Sequence, residues 1–163
     1  MDIPLLIQQI ISMPYCTIEV PAGIPATNEL HPLPPDVWQF YQLCGGLTLY
    51  ENKGYPVHIV PPEKFVLANP ILVGELCEED ISSHWYMIAD NGNGEYLTID
   101  LHPKRAGRCF DSFWDRHGIM GDCAIIARSF TEMLASLVES KGDRWYWLKE
   151  DFISLGDAYD STE

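Results

Sequence analysis

Positive charge is what this 163-residue chain has least of: ten Lys and Arg stand against twenty-four Asp and Glu, for a formal charge of −14. A surface of that sign repels phosphate backbones and anionic lipid headgroups, so direct nucleic-acid binding and membrane-surface attachment are both disfavoured. Also missing is any apolar run near the ~18 residues that a helical membrane span requires. The stretch Met1 to Ile11 is partly apolar, but Asp2 stands where a secretory leader carries Lys or Arg and Gln8 and Gln9 interrupt it, so no leader is expected. Cysteine is sparse and unpatterned. Cys16, Cys44, Cys77, Cys109 and Cys123 are odd in number, widely spaced and without a CxxC pair. That argues against a disulfide framework or a thiolate zinc site and predicts a reducing, cytoplasmic compartment.

Catalytic motifs are missing as well. The chain holds no GxSxG elbow, no HExxH, no GxGxxG and no phosphate loop ending in Gly-Lys-Ser/Thr. The run Asp90-Asn91-Gly92-Asn93-Gly94-Glu95 has the residue types of a calcium loop, but the twelfth position counted from Asp90 is Leu101, where a bidentate acid should stand. A hairpin turn explains the run instead, because Asn and Gly supply its positive φ values. His31, His58, His84, His102 and His117 show no ligand spacing, and ordinary surface histidines are expected. Asp100 with His102, and Asp111 and Asp115 with His117, are the nearest approach to a catalytic pairing. Cys44 continues an apolar helical face and is expected in the core. The sequence therefore predicts no enzyme, no cofactor and no metal.

What is there reads as one folded domain over residues 1–163, with 157–163 frayed: 47% hydrophobic and 12% aromatic residues lie well inside the globular range. Ile3, Leu6, Ile7, Ile10 and Ile11 predict a short helix capped by Asp2. Residues 14–35, rich in Pro, Thr, Asn and Gly, predict a loop. The segment Leu33 to Gly46 opens with prolines and closes with glycines, predicting a helix whose buried face is Val37, Phe40, Tyr41 and Cys44. Short strands are expected at 47–50 and 57–60 about a turn at Asn52-Lys53-Gly54, and a brief helical turn at Pro61-Pro62-Glu63. Trp85 to Ala89 and Glu95 to Leu101 predict a hairpin whose second strand buries Leu97, Ile99 and Leu101 and turns Tyr96, Thr98 and Asp100 outward. Another strand is expected at 108–113. Ser129-Phe130-Thr131-Glu132 is a capping box opening a helix that runs toward Gly142. The dense aromatics Trp145, Tyr146, Trp147 and Phe152 are expected to pack onto the domain.

Three segments in this order resemble the SUKH superfamily, a domain shared by a fungal cell-wall regulator and by many bacterial toxin-immunity proteins. They are Leu33-Pro34 through Phe40 to Gly45-Gly46, the hairpin Ile88-Ala89-Asp90 to Gly94-Glu95, and a helix written Ile126-Ala127-Arg128-Ser129-Phe130-Thr131-Glu132-Met133-Leu134. Cys44 and Glu95 depart from the usual residues, both at turn or cap positions. The resemblance implies an α+β domain with a twisted, mainly antiparallel sheet flanked by helices, and a function of binding protein partners, in bacteria often a toxin. A regulatory scaffold in a signalling or cell-envelope pathway is the alternative that the fungal relatives suggest.

Between Lys64 and Lys104 there is no Lys or Arg, while Glu75, Glu78, Glu79, Asp80, Asp90, Glu95 and Asp100 all fall there. Two readings stay open: a solvated face that aids solubility, or a surface for a basic partner. On the second reading the partner is a basic protein such as a nuclease toxin, whose cleft must be positive to hold phosphate. The expected contacts are then Glu75, Glu78, Glu79, Asp80, Asp90 and Asp100. Trp38, lying off the apolar stripe of its helix, is expected to be partly exposed and to join them.

Overall fold

Ile3, Leu6, Ile7 and Ile10 form the buried stripe of α1 (Ile3–Ile11). Asp2 caps it, its carboxylate accepting the Leu5 amide at 3.0 Å, and Pro4 sits in the first turn, where a missing N–H costs nothing. The computed structural model describes residues 1–160. In chain order there follow β1 (Thr17–Ile18), α2 (Pro35–Leu43), β2 (Leu47–Leu49), β3 (Val57–Ile59) and the short α3 (Ala68–Leu72). Then come β4 (Trp85–Asp90), β5 (Tyr96–Asp100), β6 (Cys109–Asp111), β7 (Ile125–Ala127) and α4 (Phe130–Ser140). Short 3-10 turns stand at Pro62–Lys64, Ile81–His84 and Tyr146–Leu148.

Among the described residues the strands form one antiparallel sheet of seven, ordered β1 to β7 as in the sequence. The chain is thus the expected α+β structure. Its centre is the β4–β5 hairpin, where Gly92 and Gly94 take φ of 80° and 86°. The Asp90 and Asn91 side chains accept the Gly92 and Asn93 amides and close the turn. One face of the sheet carries Leu47, Leu49, Ile59, Ala89, Leu97 and Ile99, which pack in a single core with α1, α2 and α4. Val37, Phe40, Tyr41 and Cys44 are buried there, as the helical spacing of α2 predicts. Each such side chain stabilises the fold by roughly 1.5–3 kcal/mol.

The opposite, outer face corrects one expectation. Register places Trp85 beside Asp100, Met87 beside Thr98 and Phe110 beside Thr98, so these side chains point together. Trp85 and Phe110 stack with ring centroids 4.2 Å apart. With Cys123, Ile125 and Ala158 they form a second core. Strand β5 is therefore buried on both faces over this part of the sheet, and Thr98 and Asp100 are not turned to solvent. The cover includes the chain's end: Asp157 bridges Ala124, and Ala158 is buried. Fraying from residue 157 is thus not seen over 157–160, because the Ala158 amide is held by the Cys123 carbonyl at 2.8 Å; residues 161–163 lie outside the described residues.

A second correction concerns the segment from Ile126. Its first residues are not helical but complete β7, and the helix starts only at Phe130. Ser129 is extended, with φ of −152°, and its hydroxyl accepts the Glu132 amide, so the capping box marks the boundary between strand and helix.

Candidate functional site

Cover over the outer face is incomplete. Thr48, His58 and Asp90 lie across from one another on β2, β3 and β4, and they form the floor of an open hollow of about 640 Å³ whose walls include Glu19, Glu63 and Lys64. The Thr48 hydroxyl lies 3.0 Å from His58 Nδ1, which fixes the imidazole against the sheet. A second hollow of about 410 Å³, bounded by Val66, Ile71, Met87 and Tyr96, shares Glu63, Lys64 and Asp90 with the first. The two make one trough. Acids outnumber bases along it, and none of the ion pairs among the described residues involves Glu19, Glu63 or Asp90. Val66 and Ile71 are left 39% and 58% exposed on its rim, an uncovered apolar edge beside unneutralised carboxylates.

The six acids named from the sequence divide. Glu75, Glu78 and Glu79 are exposed on the segment that follows α3, and Asp90 stands half-buried in the trough. Asp80 serves the fold. One of its carboxylate oxygens accepts the Ser82 amide, the Ser82 hydroxyl and the Tyr159 hydroxyl, so it caps a 3-10 turn and ties down the chain end. Burial pushes this carboxyl up, but the hydrogen bonds from Ser82 and Tyr159 outweigh it and hold it below its ordinary value. Asp100 is corrected as a contact: it is 0% exposed, and it accepts the Arg105 guanidinium at 2.8 Å and the His102 amide at 2.9 Å. Trp38 is 46% exposed as expected, but it stands on α2, in the helical layer on the other face of the sheet from the trough.

The histidines are not ordinary surface residues, and this too corrects the sequence reading. His31 is buried, with Nδ1 2.9 Å from the Tyr86 hydroxyl and Nε2 2.8 Å from His84 Nδ1. His84 meets His102 edge to face at 4.8 Å. Burial lowers the affinity of His31 and His84 for a proton, and the neighbouring imidazoles add to it. No three or more His, Cys, Asp or Glu among the described residues stand where they could hold a metal. His117 is also buried. Since both amide protons of Asn69 go to the Leu76 carbonyl and the Ser82 hydroxyl, its Oδ1 accepts from His117 Nε2–H at 2.6 Å. His117 Nδ1 is then bare, buried and unpartnered, and burial depresses the pKa to about 4. Asp111, the acid weighed with His117 from the sequence, is committed elsewhere, accepting from Arg116 and from the Trp147 indole.

Trp114 stands out on the surface: it is 79% exposed, and its backbone amide is held by the Glu95 carboxylate at 3.2 Å, at the hairpin end of the sheet. Sequence reasoning missed the trough, because Glu19, Glu63 and Asp90 stand on separate segments that only the fold brings together.

A seven-stranded meander with helices on one face and an acidic trough on the other is the frame, and residues 26–136 match the SMI1/KNR4 family (SUKH-1). This chain belongs to that family. All three segments that carried the resemblance lie within the matched residues. Over 163 residues it is 55% identical to the immunity protein YokJ of Bacillus subtilis (strain 168), with 100% of this chain and 99% of that protein covered. No solved structure matches.

Proposed function

We propose that this chain is an immunity protein that binds a cognate toxin in the cytoplasm and neutralises it by covering its cationic surface, without making or breaking bonds. The observation that carries this reading is likeness over the whole length, at 55% identity, to a protein named for immunity. Charge gives the mechanism. A formal charge of −14 steers a basic partner into contact, and the exposed carboxylates of Glu75, Glu78 and Glu79 would add to that field. A nuclease is the partner that fits best, since its cleft must be positive and a negative protein competes there with substrate.

Co-expression tests it. A host poisoned by the cognate toxin domain should grow when the chain is also made, and the purified pair should associate more slowly as salt is raised. Growth arrest despite abundant folded chain would refute immunity. An association rate indifferent to ionic strength would refute steering while leaving immunity intact.

A further inference from the structure

We infer that the toxin docks in the outer-face trough, through one cationic segment: Lys or Arg side chains over Glu63 and Asp90, and an adjoining apolar side chain in the hollow bounded by Val66, Ile71, Met87 and Tyr96. The inference rests on the immunity reading and adds a place and a chemistry to it.

Three observations converge on this surface. First, the outer face is roofed by a second core over β4 to β7 but open over Thr48, His58 and Asp90, so the sheet lacks cover where the two hollows run together. Second, among the described residues Glu19, Glu63 and Asp90 lie along it in no ion pair, and the one ammonium in its walls is Lys64. A carboxylate set of that kind is complementary to a cation and repels an anion. Third, Ile71 is 58% exposed beside those acids, and an apolar anchor within a charged rim is how a small number of side chains come to dominate a protein interface. A second copy of the chain is a poor occupant, because it would set −14 against −14. A basic protein segment satisfies both the acids and the hollow. The floor is strand backbone, which moves little, so the site is formed before the partner arrives.

Binding kinetics of the cognate toxin domain, measured with purified wild type and three variants, test this. Glu63→Lys reverses charge in the trough without touching the hairpin turn, and it should slow association about tenfold at low salt. Ile71→Asp places a charge in the apolar hollow and should speed dissociation by about tenfold or more. Trp38→Ala, on the opposite face, should bind within about twofold of wild type, and thermal melts identify any variant that has lost its fold. Glu63→Lys and Ile71→Asp binding like wild type while Trp38→Ala weakens would overturn the docking surface and leave immunity standing. A wild-type chain that neither binds nor protects would overturn the immunity reading and the docking surface with it.

Discussion

Asp100 belongs to the acid-rich interval that suggests a binding surface, yet it is sealed against Arg105, whose side chain is 9% exposed. Removing one partner of such a pair leaves a buried charge without compensation, so Asp100→Ala should destabilise the fold by about 3–5 kcal/mol. Urea unfolding checks this, and Glu79→Ala, exposed and unpaired, should change stability by no more than about 0.5 kcal/mol. His117 makes a second prediction. Its folded pKa of about 4 lies below the ordinary value of 6.5, so the unfolded chain takes up a proton first as pH falls. The stabilisation from keeping it neutral is complete above pH 6.5 and is lost as pH falls toward 4, in total about 3 kcal/mol at ~1.4 kcal/mol per pH unit. Replacing His117 with Gln, whose amide also donates to Asn69, should flatten the stability curve over that window. An unchanged slope would mean that another group titrates there.

At the scale of elements, local chemistry decided what was legible. α1, α2 and α4 were readable because each has a cap or prolines at its start and an apolar stripe at 3.6-residue spacing. The β4–β5 hairpin was readable because its turn needs Asn and Gly. β6 falls within the strand expected at 108–113, whereas β1 and β7 are two and three residues long, too short for alternation to show, and α3 has five residues without a side-chain cap. Double-sided burial of β5 was invisible for another reason: Thr98 and Asp100 are polar, and partners outside the strand, Ser112 for the first and Arg105 with the His102 amide for the second, make their burial tolerable. The trough shares that limit, since its acids come from separate segments. Gly45-Gly46, read as a helix stop, does more than stop a helix. A Cβ on Gly45 would collide with the Val20 carbonyl, and one on Gly46 would lie 2.7 Å from the Ile59 carbonyl at a φ of +112°. Gly46→Ala should therefore destabilise by about 1–3 kcal/mol through backbone strain, read as a lowered melting temperature.

For the whole molecule, the asymmetry of the sheet is what joins structure to function. Helices and a large apolar core take one face, a smaller core closes part of the other, and the remainder is left open and acidic. On the proposed immunity reading a surface of this kind would act by occupying its partner, so each molecule would disable one toxin at a time. Toxin activity titrated with this chain, at concentrations well above the dissociation constant, tests that directly. The account predicts a linear fall that ends at one equivalent, with activity returning when the complex is dissociated in high salt. Complete and lasting loss at a small fraction of an equivalent would contradict it, because only a catalyst acts on many toxin molecules in turn.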